Sequence, residues 1–278
     1  MSYLWIYQLP LPVLGFGVTT LSVLVGLTFS LLADRLGWTV GPGGNEAAGF
    51  RHAAVGVVYA VALALIVVTV QNRFDQVEQA VEMEANQAGD LFATFGGLNA
   101  DVRVRLQQDL VEYLNSVIGV EWPLTAQGRT SRQTEALARH LMDEIVTYHP
   151  QDQHEEDLYP HLVTDIHHLI DARQTRLAIG LEGLNSPTWR VIVIGALITL
   201  FFASLFHAER RRVQLLTMAL TSAMFGLMIF LILAMDHPLL GQFSVSPEAL
   251  QEEQARLEQI MRTPPPHQMH TPPAQSPR

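Results

Sequence analysis

The chain has 278 residues, 49% of them hydrophobic, with a formal net charge of −10. All 17 basic residues are arginine and there is no cysteine, so lysine Schiff-base chemistry, disulfides, thiolate metal sites and cysteine nucleophiles are excluded. Residues 72–190 hold 19 acidic and 9 basic side chains, which is the whole −10, and the remainder balances at 8 and 8. A segment that acidic repels backbone phosphates, so no nucleic-acid partner is expected.

Residues 11–33 form the first of four charge-free apolar runs; the others are 53–70, 191–206 and 213–235. A bilayer-spanning helix needs roughly 20 apolar residues, so the runs predict four transmembrane helices in two pairs. No positive charge precedes the first run, which favours a retained membrane helix over a cleaved signal peptide. Gly41, Pro42, Gly43 and Gly44 predict a flexible turn before the second run. Small residues at Gly56, Ala60 and Ala64 lie four apart on one face of helix two, a spacing that lets another helix approach closely in lipid.

Beyond the membrane, Phe74, Val77, Val81, Ala88, Leu91 and Phe95 keep helical spacing, so helix two is predicted to continue as a stalk until Gly96-Gly97. Further amphipathic helices are predicted over 100–118, 133–148 and 158–179, with a loop at Trp122-Pro123 and Gly128. Ser186-Pro187 reads as an N-cap with proline at the first helical position of membrane helix three. Ser246-Pro247-Glu248 opens a short helix to about Met261, and 263–278 is a proline-rich tail expected to be disordered. The fold class is therefore all-α. Residues 1–71 form membrane pair one, 72–188 an acidic extramembrane bundle and 189–236 membrane pair two. A C-terminal amphipathic helix over 237–262 and the tail complete the chain.

Arginines in short loops mark the cytoplasmic side. Arg35, Arg51 and the Arg210–Arg212 triple lie in the two intrapair loops, which places the helical bundle and both termini outside the cytoplasm of a cell (inner) membrane. The triple also suits contact with anionic lipid.

Several stretches resemble the bacterial four-helix bestrophin-like domain family. They are Asn45 through Phe50 leading into Ala54–Ala60, then Glu84-Ala85-Asn86 with Asp90-Leu91, and Glu121-Trp122-Pro123. Asp171-Ala172-Arg173 with Arg176-Leu177 follows, and last Asp236-His237-Pro238 through Ser246-Pro247-Glu248. The resemblance covers residues 10–255. It implies four membrane helices with a helical insert between helices two and three, and kinship with bestrophins, which are pentameric anion channels. Bestrophins line a pore neck on helix two with bulky apolar and aromatic residues. Here that helix offers Val, Ala, Leu and a lone Tyr59. Bestrophins also keep the middle unit in the cytoplasm, opposite to the arginine distribution.

Candidate sites are few. His161, Asp165 and His168 fall at i, i+4 and i+7 within a His- and acid-rich stretch (His149, His154, His167, Asp152, Glu155, Glu156, Asp157), a pattern that could ligate a divalent metal or sense pH, or simply form a solvated face. Asn45, Glu46, Glu84, Asn86 and Asp236 sit at membrane boundaries and are pore or vestibule candidates; His237 adjoins the last of them. Glu84 can alternatively form a structural ion pair with Arg173 or Arg176. Hydroxyls such as Thr19, Thr20, Ser22, Thr199, Ser204, Thr221 and Ser222 can line an anion path or bond their own helices. No phosphate loop, nucleophile elbow or catalytic triad is present, so neither an enzyme nor a cofactor is expected. Two readings of function stand: an oligomeric anion (chloride or bicarbonate) channel, or a non-conducting membrane-anchored sensor or scaffold whose acidic bundle binds a protein or an ion.

Overall fold

The computed structural model describes residues 6–7, 9–40, 45–206 and 210–262, with residues 45–48 as backbone only. The predicted turn at Gly41–Gly44, the side chains of Asn45 and Glu46, and the tail at 263–278 lie outside the described residues. The helices are α1 (Leu11–Leu36), α2 (Asn45–Phe95), α3 (Ala100–Ser116), α4 (Trp122–Thr125), α5 (Arg132–Val146), α6 (Gln153–Leu181), α7 (Ser186–Ser204), α8 (Arg211–Met235) and α9 (Glu248–Arg262). Among the described residues there is no strand; a single bridge joins Val40 and Phe206. The all-α expectation holds, and four helical stretches are long and apolar enough to cross a membrane.

The chain divides into two compact units. The first comprises residues 1–80, 123–130 and 174–246, the second residues 81–122, 131–173 and 247–278. In the first unit α1 packs closely along α8. Small residues permit that approach: a Cβ on Gly26 would overlap the Ser222 hydroxyl, and one on Gly226 would sit 2.7 Å from the Thr19 Cα. With no hydrophobic drive between helices in lipid, such close backbone contact supplies the dispersion energy that joins them. A core of Tyr59, Leu63, Val70, Ile192, Ala196, Ile232 and Met235 ties α2, α7 and α8 together.

The second unit buries an apolar core. Leu91, Phe95, Leu106, Leu110, Leu114, Leu141, Ile145, Leu162, Ile166, Leu169, Leu250 and Leu257 are all buried, from α2, α3, α5, α6 and α9. α3 is capped by Asn99, whose side chain accepts from the Val102 N–H, and α5 by Ser131, which accepts from Thr134.

α2 runs unbroken for 51 residues and ends at Phe95, where Gly96-Gly97 follow. Three boundaries differ from those predicted. The cap of α7 is Asn185, which accepts from the Thr188 N–H at 2.9 Å, with Pro187 one position further in than expected. α6 begins at Gln153 and carries Pro160 inside it. Asp152 accounts for the early start: its Oδ1 accepts from the Glu155 N–H at 2.9 Å, and its carbonyl from Glu156. The predicted loop at Trp122-Pro123 is helical instead. A π-helical turn over Val117–Glu121 leads directly into α4, and the chain turns only at Gly128, where φ is +74°.

Candidate functional site

Within the first unit, α2 presents two unlike faces. Tyr59, Leu63 and Val70 turn inward. Tyr59 donates its hydroxyl to the Ile192 carbonyl at 2.5 Å and lays its ring where any Cβ on Gly195 would clash. The single aromatic residue of this span is thereby committed to packing. On the other side Val57, Val61, Leu65 and Val68 are 55–66% exposed. Ala60 and Ala64 are exposed beside them, and a Cβ on Gly56 would meet nothing within 4 Å. The small-residue stripe therefore has no partner helix within the described residues of this chain.

At the end of α8, Asp236 is 1% exposed. Its Oδ1 accepts the Leu184 N–H at 2.5 Å, and its Oδ2 accepts the Tyr7 hydroxyl at 2.9 Å and the Trp189 indole N–H at 3.3 Å. His237 Nδ1 lies 3.2 Å from the same oxygen, and its ring tilts against Tyr7 with centroids 4.7 Å apart. Gly183 leaves the space that the imidazole fills. A buried carboxylate needs several donors, and residues from three separate stretches supply them. Asp236 thus fastens the ends of the first unit and has its lone pairs occupied.

The membrane hydroxyls are mostly spent on backbone carbonyls: Thr199 on Gly195, Ser222 on Met218, Ser204 on Phe201, and Ser22 across to Ser222. Thr19 Oγ1 is buried without a hydrogen-bond partner among the described residues. Gln214 donates to Ser30 at 3.4 Å and to Asp34 at 3.2 Å, closing a polar contact between α1 and α8.

In the second unit Arg173 is 3% exposed and fans over two carboxylates. Its Nε and Nη2 donate to Glu121 at 3.2 and 2.5 Å, and its Nη1 to Glu135 at 2.8 Å. Burial opposes the guanidinium charge, but the hydrogen bond and charge of Glu121 and the hydrogen bond of Glu135 outweigh it and raise its pKa. The same bond lowers the Glu135 carboxyl. The π-helical turn ends at Glu121 itself, in position to face α6. Glu84 is fully buried and accepts the Tyr113 hydroxyl at 2.6 Å, while Arg176, in the first unit, is equally buried. Sequence reading singled out Glu84, Arg173 and Arg176 but did not name Glu121, Glu135 or Tyr113 as partners. Asn86 is exposed, lining a cleft of about 340 Å³ with Glu82, Glu252, Glu253 and Arg256.

Of the metal candidates, Asp165 Oδ2 accepts the Thr94 hydroxyl at 2.8 Å, and His161 and His168 point to solvent. Among the described residues, the ligand atoms that converge within 4.8 Å belong instead to Asp109 of α3 and to His140 and Glu144 of α5. His140 and Glu144 stand at i, i+4, a signal visible in sequence, but the facing Asp109 is not. Burial, followed by the Glu144 charge, raises the Asp109 carboxyl. Arg105 already sits 3.3 Å from Glu144 Oε2. Glu155, buried at the start of α6, accepts from the Asn99 and Gln151 N–H groups and from the Tyr148 hydroxyl. These bonds, Tyr148 first, lower its carboxyl, while burial and then Glu155 push the Tyr148 phenol up to about 12.

Residues 18–250 match the Bestrophin-like domain. The chain belongs to the Bestrophin-like family. No curated protein matches it. Among solved structures, it resembles a bacterial bestrophin homologue from Klebsiella pneumoniae carrying one tyrosine-to-alanine substitution, at 13% identity and a TM-score of 0.63. That match covers 88% of this chain and 99% of the homologue. Two crystal structures described as a membrane protein, one with a glycine-to-alanine and one with a proline-to-alanine substitution, match over the same shares. Their identities are 12% and 13%, with TM-scores of 0.63 and 0.61. These likenesses establish that the Bestrophin-like chain shares the bestrophin fold.

Proposed function

We propose that this Bestrophin-like chain is a subunit of an oligomeric membrane channel that passes small anions such as chloride or bicarbonate. The observation that carries the reading is the uncovered face of α2. Val57, Val61, Leu65 and Val68 stay exposed beside Gly56, Ala60 and Ala64. A row of branched apolar side chains next to small residues, at membrane-crossing length, suits a ring of copies that meet through α2. The bestrophin resemblance implies that helix two lines the pore neck, which agrees with that face. Hydrophobic constrictions gate by dewetting, so valine and leucine can form a neck without fixed charge. On this reading residues 72–188 extend beyond the membrane, and the short-loop arginines favour placing them and both termini outside the cytoplasm of the inner membrane.

The test is halide and bicarbonate flux in proteoliposomes, made with protein whose oligomeric state is measured in mild detergent. The expected result is a ring-shaped oligomer and a flux that Val61→Arg alters. An intact oligomer with no flux, or a monomer, overturns the channel reading in favour of a membrane-anchored sensor or scaffold. Flux restricted to cations overturns the anion assignment alone.

A further inference from the structure

α2 and α7 of the first unit leave a groove of about 620 Å³ between them. Val58 and Ala62 form one wall, and Val191, Ile194 and Ile198 the other. Of its polar lining residues, Tyr59 and Thr199 direct their hydroxyls to the Ile192 and Gly195 carbonyls. Among the described residues, Arg190, exposed just past the first turn of α7, is the only charged side chain that lines it. The groove thus combines an acyl-sized apolar trough with one cation at the start of a helix whose first N–H groups carry partial positive charge.

We propose that this groove holds one anionic phospholipid, with an acyl chain between α2 and α7 and the phosphate headgroup on Arg190. The walls belong to helices apolar enough to cross a membrane, so the occupant must be apolar along its length. The single charge at one end then selects a headgroup of opposite sign. The small-residue edge of α2 gives a second copy of this chain a different surface to meet. The small-residue stripe of α2 includes Ala60, two residues from Ala62 and therefore nearly opposite it on a 3.6-residue helix. The inference goes beyond the channel proposal and does not depend on conduction.

Native mass spectrometry of the full chain tests it, with release from detergent mixed with equal amounts of phosphatidylglycerol and phosphatidylcholine. The wild type and Arg190→Lys should keep one phosphatidylglycerol per subunit in preference to phosphatidylcholine. Arg190→Gln should lose that preference by about fivefold, the value of one basic side chain near a membrane surface. Ile194→Phe should lose both lipids by filling the trough. Val58→Phe fills it from the opposite wall, so misfolding of one variant leaves the other to decide. Retained preference in Arg190→Gln, or retained lipid in a folded trough-filling variant, overturns the site. So does a disulfide between two copies of Ile194→Cys in a bilayer, which the otherwise cysteine-free chain makes unambiguous.

Discussion

In the first unit, side chains that can hydrogen-bond mostly turn back onto carbonyls of their own or the facing helix, as Ser22, Thr199 and Ser222 do, and glycines bring backbones together. In the second unit whole charges go inside: Glu84, Glu121 and Arg173 are each at most 3% exposed, within a shell of leucine and isoleucine. Arg176 and Asp236 are exceptions in the first unit, and Asp236 is held by neutral donors with a histidine alongside. The proposed surroundings account for the contrast. A helix in lipid satisfies its own backbone and tolerates few charges, whereas a bundle in water can offset the desolvation of an ion pair by direct bidentate contact.

Breaking one partner of the buried pair should have the largest effect. Glu121→Ala removes the buried bidentate partner of Arg173, leaving it the part-exposed Glu135, and should cost about 3–5 kcal/mol of unfolding free energy, while the double change Glu121→Leu with Arg173→Met should recover most of it. Denaturant unfolding of the purified protein reads both, and a double variant no better than the single one would refute the pairing as the cause. In the first unit the matching change is Asp236→Ala, expected to cost about 3 kcal/mol because it removes the carboxylate that accepts from Tyr7, Trp189 and Leu184. Trp189 fluorescence should shift in the same variant.

Overpacking sharpens the contrast further. Gly226→Leu should push α1 from α8 and cost about 1–3 kcal/mol, visible as a lower thermal midpoint in detergent. A comparable enlargement at the exposed Ala60 should leave the folded monomer unaffected. Removing the Tyr113 hydroxyl with Tyr113→Phe takes one hydrogen bond from buried Glu84 and should cost about 1–2 kcal/mol.

The smallest expected effect is on pH dependence. Glu155 and Glu135 have lowered carboxyls in the folded chain, so each stabilises the fold above its unfolded value near 4.5 and loses that contribution as pH falls toward the lower folded value. Glu155→Gln should flatten the acid limb of the stability profile. Asp109 has the opposite sign, because its raised carboxyl is uncomfortable when charged. Asp109→Asn should therefore leave stability near pH 7 unchanged or slightly higher, and thermal melts from pH 4 to 8 distinguish the two directions.

Much of the fold could be read in the chain. Apolar runs of lipid length, 3.6-residue spacing and the Gly96-Gly97 stop are local signals, and α2 ends where those glycines stand. Apolar spacing starts this helix at 158 rather than 153, because the Asp152 cap that sets its true start precedes the first apolar position. The partners of Arg173 were not legible, since Glu121 lies 52 residues away and Glu135 lies 38 away. Only the meeting of three helices selects those two carboxylates from the acidic set. The same holds for Asp109 opposite His140 and Glu144: the pair on α5 is visible, but the third member depends on how α3 packs.

The absence of lysine reads differently once Arg173 is in view. At exposed positions such as Arg139, which pairs with Glu135 four residues before it, either basic residue would serve, and the choice can drift with nucleotide composition. At position 173 a flat fork must reach two carboxylates with three separate nitrogens. An ammonium offers a point charge in place of that fork. Geometry therefore favours arginine at 173, and Arg173→Lys, which keeps the charge, is expected to lower the denaturant midpoint all the same.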